Sequence, residues 1–162
     1  MPPVVSNTSP LIALATVSQL ELLHRLFDTV IIPPAVRAEV LSEAAFAEVQ
    51  AAISQGWLSE QQPLEIGILR LLNETLDIGE SEAIALAQQM TPRWIILDDL
   101  AARRTAEGLG LPVIGTLGVL LLAKDAGYLA SVKPVLDQLR SQSLFISDAL
   151  YAHVLNTAGE TE

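Results

Sequence analysis

Carboxylates and amides stand in this chain where short apolar runs stop. Ile95-Ile96-Leu97 runs directly into Asp98-Asp99, and Val4-Val5-Ser6 runs into Asn7-Thr8-Ser9-Pro10. An acid or amide that follows a strand and precedes a helix lies at the carboxyl edge of a parallel sheet, where open α/β folds bind their ligands. Oxygen donors gathered there suit a hard cation such as Mg²⁺ or Mn²⁺. For Asp98 and Asp99 taken alone, helix capping is the commoner role, because an acid there satisfies the first helical N–H groups and opposes the helix dipole. Neighbouring residues on a strand point to opposite faces, so one of the two is expected to face an ion.

Three further acids occupy comparable positions. Glu39 lies on the helix expected after Val30-Ile31-Ile32, at the edge of the face shared by Val36 and Val40. Glu80 shares a helical stripe with Ala83, Ile84 and Ala87, where an acid is unusual unless it caps the helix or binds something. Glu82 points about 200° away from it, so periodicity favours Glu80 as the inward residue. Asn7 offers an amide oxygen where a carboxylate would be a stronger ligand. Thr8, Ser9 and Thr116 add hydroxyls along the same edge, and Arg103 and Arg104, one turn past Asp99, could meet phosphate.

These residues require short strands alternating with helices. Strands are expected at Val4–Ser6, Val30–Ile32, Trp94–Leu97 and Pro112–Ile114, with Trp57-Leu58-Ser59 ambiguous. Ser9-Pro10 reads as the N-cap and first position of a helix, and Ser18-Gln19-Leu20-Glu21 as a capping box for the next. Helices are expected after Pro33-Pro34, over 42–54, over Ile66–Leu76, over Glu80–Gln89, through Arg104, and over 116–126, 131–141 and 148–157. Asp77-Ile78-Gly79 reads as a break. The pattern is α/β with a mostly parallel sheet, in a single domain over 1–162.

Composition narrows the chemistry. With 162 residues and 51% apolar content the chain can bury one core. There is no cysteine, which excludes disulfides, thiolate zinc and cysteine nucleophiles and fits a reducing, cytoplasmic setting. His24 and His153 are too few for a histidine metal site. No apolar leader or membrane-length run is present. A net charge of −10 argues against a simple nucleic-acid-binding module, although not against an acidic site that holds phosphate through metal.

Taken in order, Val4-Val5-Ser6-Asn7-Thr8-Ser9-Pro10-Leu11-Ile12, Ile32-Pro33-Pro34-Ala35-Val36 with Glu39, Leu76-Asp77-Ile78-Gly79-Glu80-Ser81-Glu82-Ala83-Ile84, Leu97-Asp98-Asp99 with Arg103-Arg104, and Gly115-Thr116-Leu117-Gly118 resemble the PIN-domain superfamily, specifically its DUF3368 branch, over about residues 3–158. The resemblance implies a three-layer α/β/α sandwich. It implies a Mg²⁺- or Mn²⁺-dependent ribonuclease leaving a 5′-phosphate and a 3′-hydroxyl, in many members the toxin of a toxin–antitoxin pair, and a homodimer. The family's four acids fall on Asn7, Glu39, Glu82 and Asp99, with Asp98 beside the last. Glu82 conflicts with the periodicity, so both Glu80 and Glu82 remain candidates. Catalytic roles fall on Glu39, Glu82 and Asp99, and substrate contacts on Thr8, Ser9, Arg103, Arg104 and Thr116. Asn7 departs from the pattern by removing one negative charge, which implies a weakened site. The rival reading is a catalytically silent domain that binds a small antitoxin-like partner. A phosphatase-like or receiver-like domain built on Asp98-Asp99 fits less well, because no lysine follows at a suitable point. With several leucine-rich helices competing for one core, Leu22, Leu23, Leu26 and Phe27, or the stretch from Leu120 to Ala123, are expected to form a dimer interface.

Overall fold

Strands only two or three residues long persist in water when helices cover both faces of the sheet they form. Here the computed structural model, which describes residues 2–41, 43–142 and 144–161, places five of them in one parallel sheet. They are β1 (Val4–Ser6), β2 (Val30–Ile32), β3 (Leu58–Glu60), β4 (Trp94–Ile96) and β5 (Val113–Ile114), in the order β3-β2-β1-β4-β5. The ambiguous segment at Trp57 is therefore resolved. Leu58–Glu60 pairs with β2, Val30 opposite Leu58 and Ile32 opposite Glu60, and forms an edge strand.

The period-2 alternation sorts the strand side chains onto two faces. Val4, Val30, Leu58 and Ile96 join one core; Val5, Ile95 and Leu97 join the other. The first core packs against α1 (Thr8–Thr16), α2 (Glu21–Phe27), α3 (Pro34–Val40), α4 (Phe46–Gln55), α8 (Thr116–Asp125), α9 (Lys133–Gln142) and α10 (Asp148–Thr157). The second packs against α5 (Ile66–Leu72), α6 (Ile78–Gln88) and α7 (Leu100–Gly108). The result is the three-layer α/β/α sandwich. Burial of each large side chain such as Leu97 stabilises it by roughly 1.5–3 kcal/mol. Among the described residues no helix is long and apolar enough to cross a membrane.

Several local expectations are corrected. The first helix begins at Thr8 with Asn7 as N-cap, not at Ser9-Pro10, because the Asn7 N–H still extends the sheet to Ile96 O (3.1 Å) and the chain turns immediately after it. The Ser18–Glu21 capping box does not form: Ser18 has φ 59° and closes the end of α1, and Leu20 precedes α2 without a side-chain cap. The capping box sits instead at Asp77 and Glu80, so Asp77-Ile78-Gly79 starts α6 rather than breaking the chain. Helix α5 stops at Leu72, short of Leu76. Helix α4 starts at Phe46; residue 42 of the expected span lies outside the described residues. The apolar residues assigned to a dimer interface are core: Leu22, Leu23, Phe27, Leu120 and Ala123 are buried within the chain, with Leu26, Leu121 and Leu122 packed partly against them. Two cores, one on each sheet face, take up much of the 51% apolar content, while Leu64, Ile66, Leu71, Leu100 and Phe145 stay exposed.

Candidate functional site at the carboxyl edge of the sheet

The chain builds the sheet outward from β1 in one direction through β2 and β3, then returns to add β4 and β5 on the other side. The strand order reverses between β1 and β4. At such a switch point the two connections leave on opposite sides and open a crevice beyond the carboxyl ends. Asn7 follows β1 there, and Asp98 and Asp99 follow β4.

Asn7 is 4% exposed, and its Oδ1 has no hydrogen-bond partner in the structure. An orphaned buried acceptor costs about 1–3 kcal/mol, so this oxygen is one that a cation or a water would satisfy; Ser81 Oγ on α6 is likewise buried without a partner. The adjoining Thr8 is also buried and donates its hydroxyl to Glu39 Oε2 at 2.5 Å, tying the end of β1 to α3. Glu39 in turn lies against Gly79 of α6: a Cβ at that position would collide with the Glu39 carboxylate. Gly79 is thus the residue that lets α6 approach the acid on α3. Glu82, one turn further along α6, accepts from the Ala35 N–H at the start of α3 (3.0 Å) and so pins the two helices together. Between Gly79 and Ala87 it is the one residue not buried.

Glu80 is the inward acid, 8% exposed. Its N–H donates to Asp77 Oδ1 (2.7 Å) and its Oε1 accepts from the Asp77 N–H (3.3 Å). Burial, and then the negative charges of Asp77 and Asp99, push its pKa up to about 7. Asp99 is thus close enough for its charge to act on Glu80. Asp99 itself is exposed and caps α7 by accepting from the Ala102 N–H (3.0 Å).

Asp98 turns the other way, as alternation requires. It accepts from the Thr116 N–H (2.8 Å) and the Thr116 hydroxyl (2.6 Å), closing the β4 turn onto the start of α8. Thr116 is fully buried and positions Asp98 rather than lining open space. Arg103 is half-buried and donates from Nη1 to Leu97 O (3.0 Å), whereas Arg104 and Ser9 are exposed.

The comparison with protein families adds the decisive observation: the family model described as "DUF3368: PIN domain" matches residues 3–160. The chain belongs to this family. No curated protein matches it.

PIN domains generally use divalent metal ions, so the residues of this PIN domain can be tested against such an ion. The chemistry fits. The donors at the switch point are oxygens, and the orphaned Oδ1 of Asn7 is the kind of acceptor that a hard cation satisfies. The number of charges fits poorly. Among the described residues no three Asp, Glu or His side chains lie together as a metal-holding group. The reason is visible residue by residue: Glu39 is held by Thr8, Glu82 by Ala35 N–H, Asp98 by Thr116 and Asp99 by its helix. The residues present thus offer a neutral amide oxygen at Asn7 and carboxylates already engaged by protein donors.

Three contributors were missed from sequence. Asp77 holds Glu80 in place, Gly79 admits Glu39, and Phe145, on the far connection between α9 and α10, reaches the same edge. The Asp-x-x-Glu spacing at 77–80 was a usable capping signal; the other two carry none.

Proposed function

We propose that this PIN domain is an endoribonuclease of the toxin type, with a cation site weakened by Asn7. The observation that carries the reading is the orphaned Asn7 Oδ1 at the switch point of a PIN fold, beside a Glu39 fixed by Thr8. Asn7 and Glu39 would hold Mg²⁺ or Mn²⁺, with Asp99 and the Glu80/Glu82 pair at the rim; the ion supplies Lewis acidity toward a phosphodiester. Thr8 keeps Glu39 in one rotamer. Burial, with the charges of Asp77 and Asp99, pushes the Glu80 pKa up to about 7, so its carboxyl can hold a proton near neutral pH. Arg103 and Arg104 supply positive charge beside the acids, which RNA phosphates require. The domain acts in the cytoplasm, as a homodimer, opposite a small antitoxin-like protein.

One observation favours a second reading, a silent PIN-like domain that binds such a partner. Glu39, Glu82 and Asp98 each already accept from a neighbouring element, and Asp99 caps its own helix. Incubating a labelled single-stranded RNA with the wild type and with Glu39→Gln, with and without Mn²⁺, separates the two. Mn²⁺-dependent cleavage lost in Glu39→Gln supports the nuclease. Cleavage by neither protein at any Mn²⁺ concentration supports the silent domain.

A further inference from the structure

A pocket of about 430 Å³ opens beside Asp98, on the β5 side of the sheet. Its walls are Leu100 at the start of α7, Leu117 on α8, and Phe145 and Leu150 from the α9–α10 region; Asp98 and Arg103 supply its polar part. Phe145 is 93% exposed and Leu100 60%, so neither side chain is spent on the core. We propose that this pocket takes an unstacked base of a single-stranded RNA, the base lying on the Phe145 ring while the adjoining phosphate meets Arg103. The inference rests on the nuclease reading above and names how its substrate is gripped.

Three features argue for a base rather than a protein segment. The volume is that of a small-ligand site, which suits one flat ring and not a helix. Arg103 is anchored by the Leu97 carbonyl, so its hydrogen bond holds the guanidinium in place without neutralising it. Arg103 stands at the pocket as a cation on a protein of net charge −10, which matches a phosphate better than a basic peptide. Geometry also preserves the arrangement: a Cβ on Gly115 would lie 2.5 Å from Arg103 Nη1 and 3.0 Å from Asp98 Oδ1, so only glycine leaves both groups where they are. Single strands are bound by this combination of aromatic stacking and cationic tracking.

The test uses a short single-stranded RNA carrying one 2-aminopurine, the full chain, and EDTA to prevent cutting. Wild type is expected to bind with quenched 2-aminopurine fluorescence. Phe145→Ala is expected to bind about 5- to 100-fold more weakly and to lose the quenching, the range for one base on one aromatic ring. Phe145→Trp is expected to retain both. An RNA with an abasic site in place of 2-aminopurine should bind wild type as weakly as intact RNA binds Phe145→Ala. Because Phe145 is exposed, its removal leaves the core intact. If RNA binds and Phe145→Ala matches wild type, the pocket inference falls while the nuclease reading stands. If no RNA binds in EDTA, the pocket inference falls, and the Mn²⁺-dependent cleavage assay decides the nuclease reading by itself. If Phe145→Ala alters sedimentation of the protein but not RNA binding, a protein surface covers the pocket and the inference falls.

Discussion

Replacing Glu80 by glutamine should change how stability depends on pH. Burial, Asp77 and Asp99 raise the Glu80 pKa from 4.5 to about 7. A carboxyl whose pKa is raised on folding binds more protons in the native state than in the unfolded chain between those two values. Stability from this group is therefore fully present below about pH 4.5 and is lost as pH rises through 7. A shift of that size corresponds to about 3 kcal/mol at most, and to less where water reaches the rim of the carboxylate. A glutamine side chain cannot ionise, yet its amide oxygen can still accept from the Asp77 N–H that Glu80 Oε1 accepts now. Glu80→Gln should thus lie within about 1 kcal/mol of wild type near pH 5 and exceed it by about 1–3 kcal/mol at pH 8, a gain of several degrees in Tm for a domain of this size. Urea unfolding of both proteins across pH 5–8.5 measures the difference directly. A constant difference across that range, or a wild type that gains on the variant as pH rises, would refute the reasoning that Glu80 is held by burial against its own charge.

Other outcomes follow from the same geometry. Burial alone would raise the pKa of Glu160, but hydrogen bonds from Lys124 Nζ, the Ser131 hydroxyl and the Val132 and Lys133 N–H groups bring it down to about 2. Glu160→Gln should therefore cost about 1–2 kcal/mol at neutral pH, the lower end applying where solvent screens the carboxylate; the penalty shrinks as pH falls through 4.5 toward 2 and is read by thermal melts at pH 7 and pH 3. Gly79→Ala should cost up to about 2 kcal/mol, because its methyl pushes the Glu39 carboxylate off the Thr8 hydroxyl and the helix preference of alanine, up to about 1 kcal/mol, offsets only part of that; Mn²⁺ binding should drop, and unchanged titration would show that Glu39 holds no ion. Thr116→Val should cost about 1–3 kcal/mol in chemical denaturation, because one Asp98 oxygen then loses its hydroxyl partner.

The sheet was legible because each strand is an apolar run that stops at a polar residue. Val4-Val5, Val30–Ile32 and Ile95–Leu97 give no other reading once helical spacing follows each of them. The two cores were less so: alternation predicts that Val4 and Val5 part company, but nothing local says how many helices cover each side, and the dimer surface assigned to Leu22, Leu23 and Phe27 turned out to be interior for that reason. Leu58–Glu60 escaped because two of its three residues are polar and exposed, as an edge position allows. At the site, the stripe of Glu80 with Ala83, Ile84 and Ala87 correctly gave the buried acid. It could not show that Glu82, on the remaining side of the helix, reaches the α3 backbone. Ser18 illustrates the opposite case: its spacing to Glu21 fits a capping box, yet the chain needs a left-handed residue there to end α1, and the tertiary requirement wins. Phe145 lies beyond local pattern altogether, since its meaning depends on a connection that returns from α9 to β5 and α7.

The central claim is that Asn7 occupies a ligand position and weakens it. Isothermal titration of Mn²⁺ into wild type and Asn7→Asp tests it most directly, at a pH where the new carboxylate is ionised. The added charge should tighten binding by about tenfold or more, with one ion per chain in Asn7→Asp and a weak or shallow isotherm in wild type. Equal binding by the two proteins, or none by either, would contradict the claim.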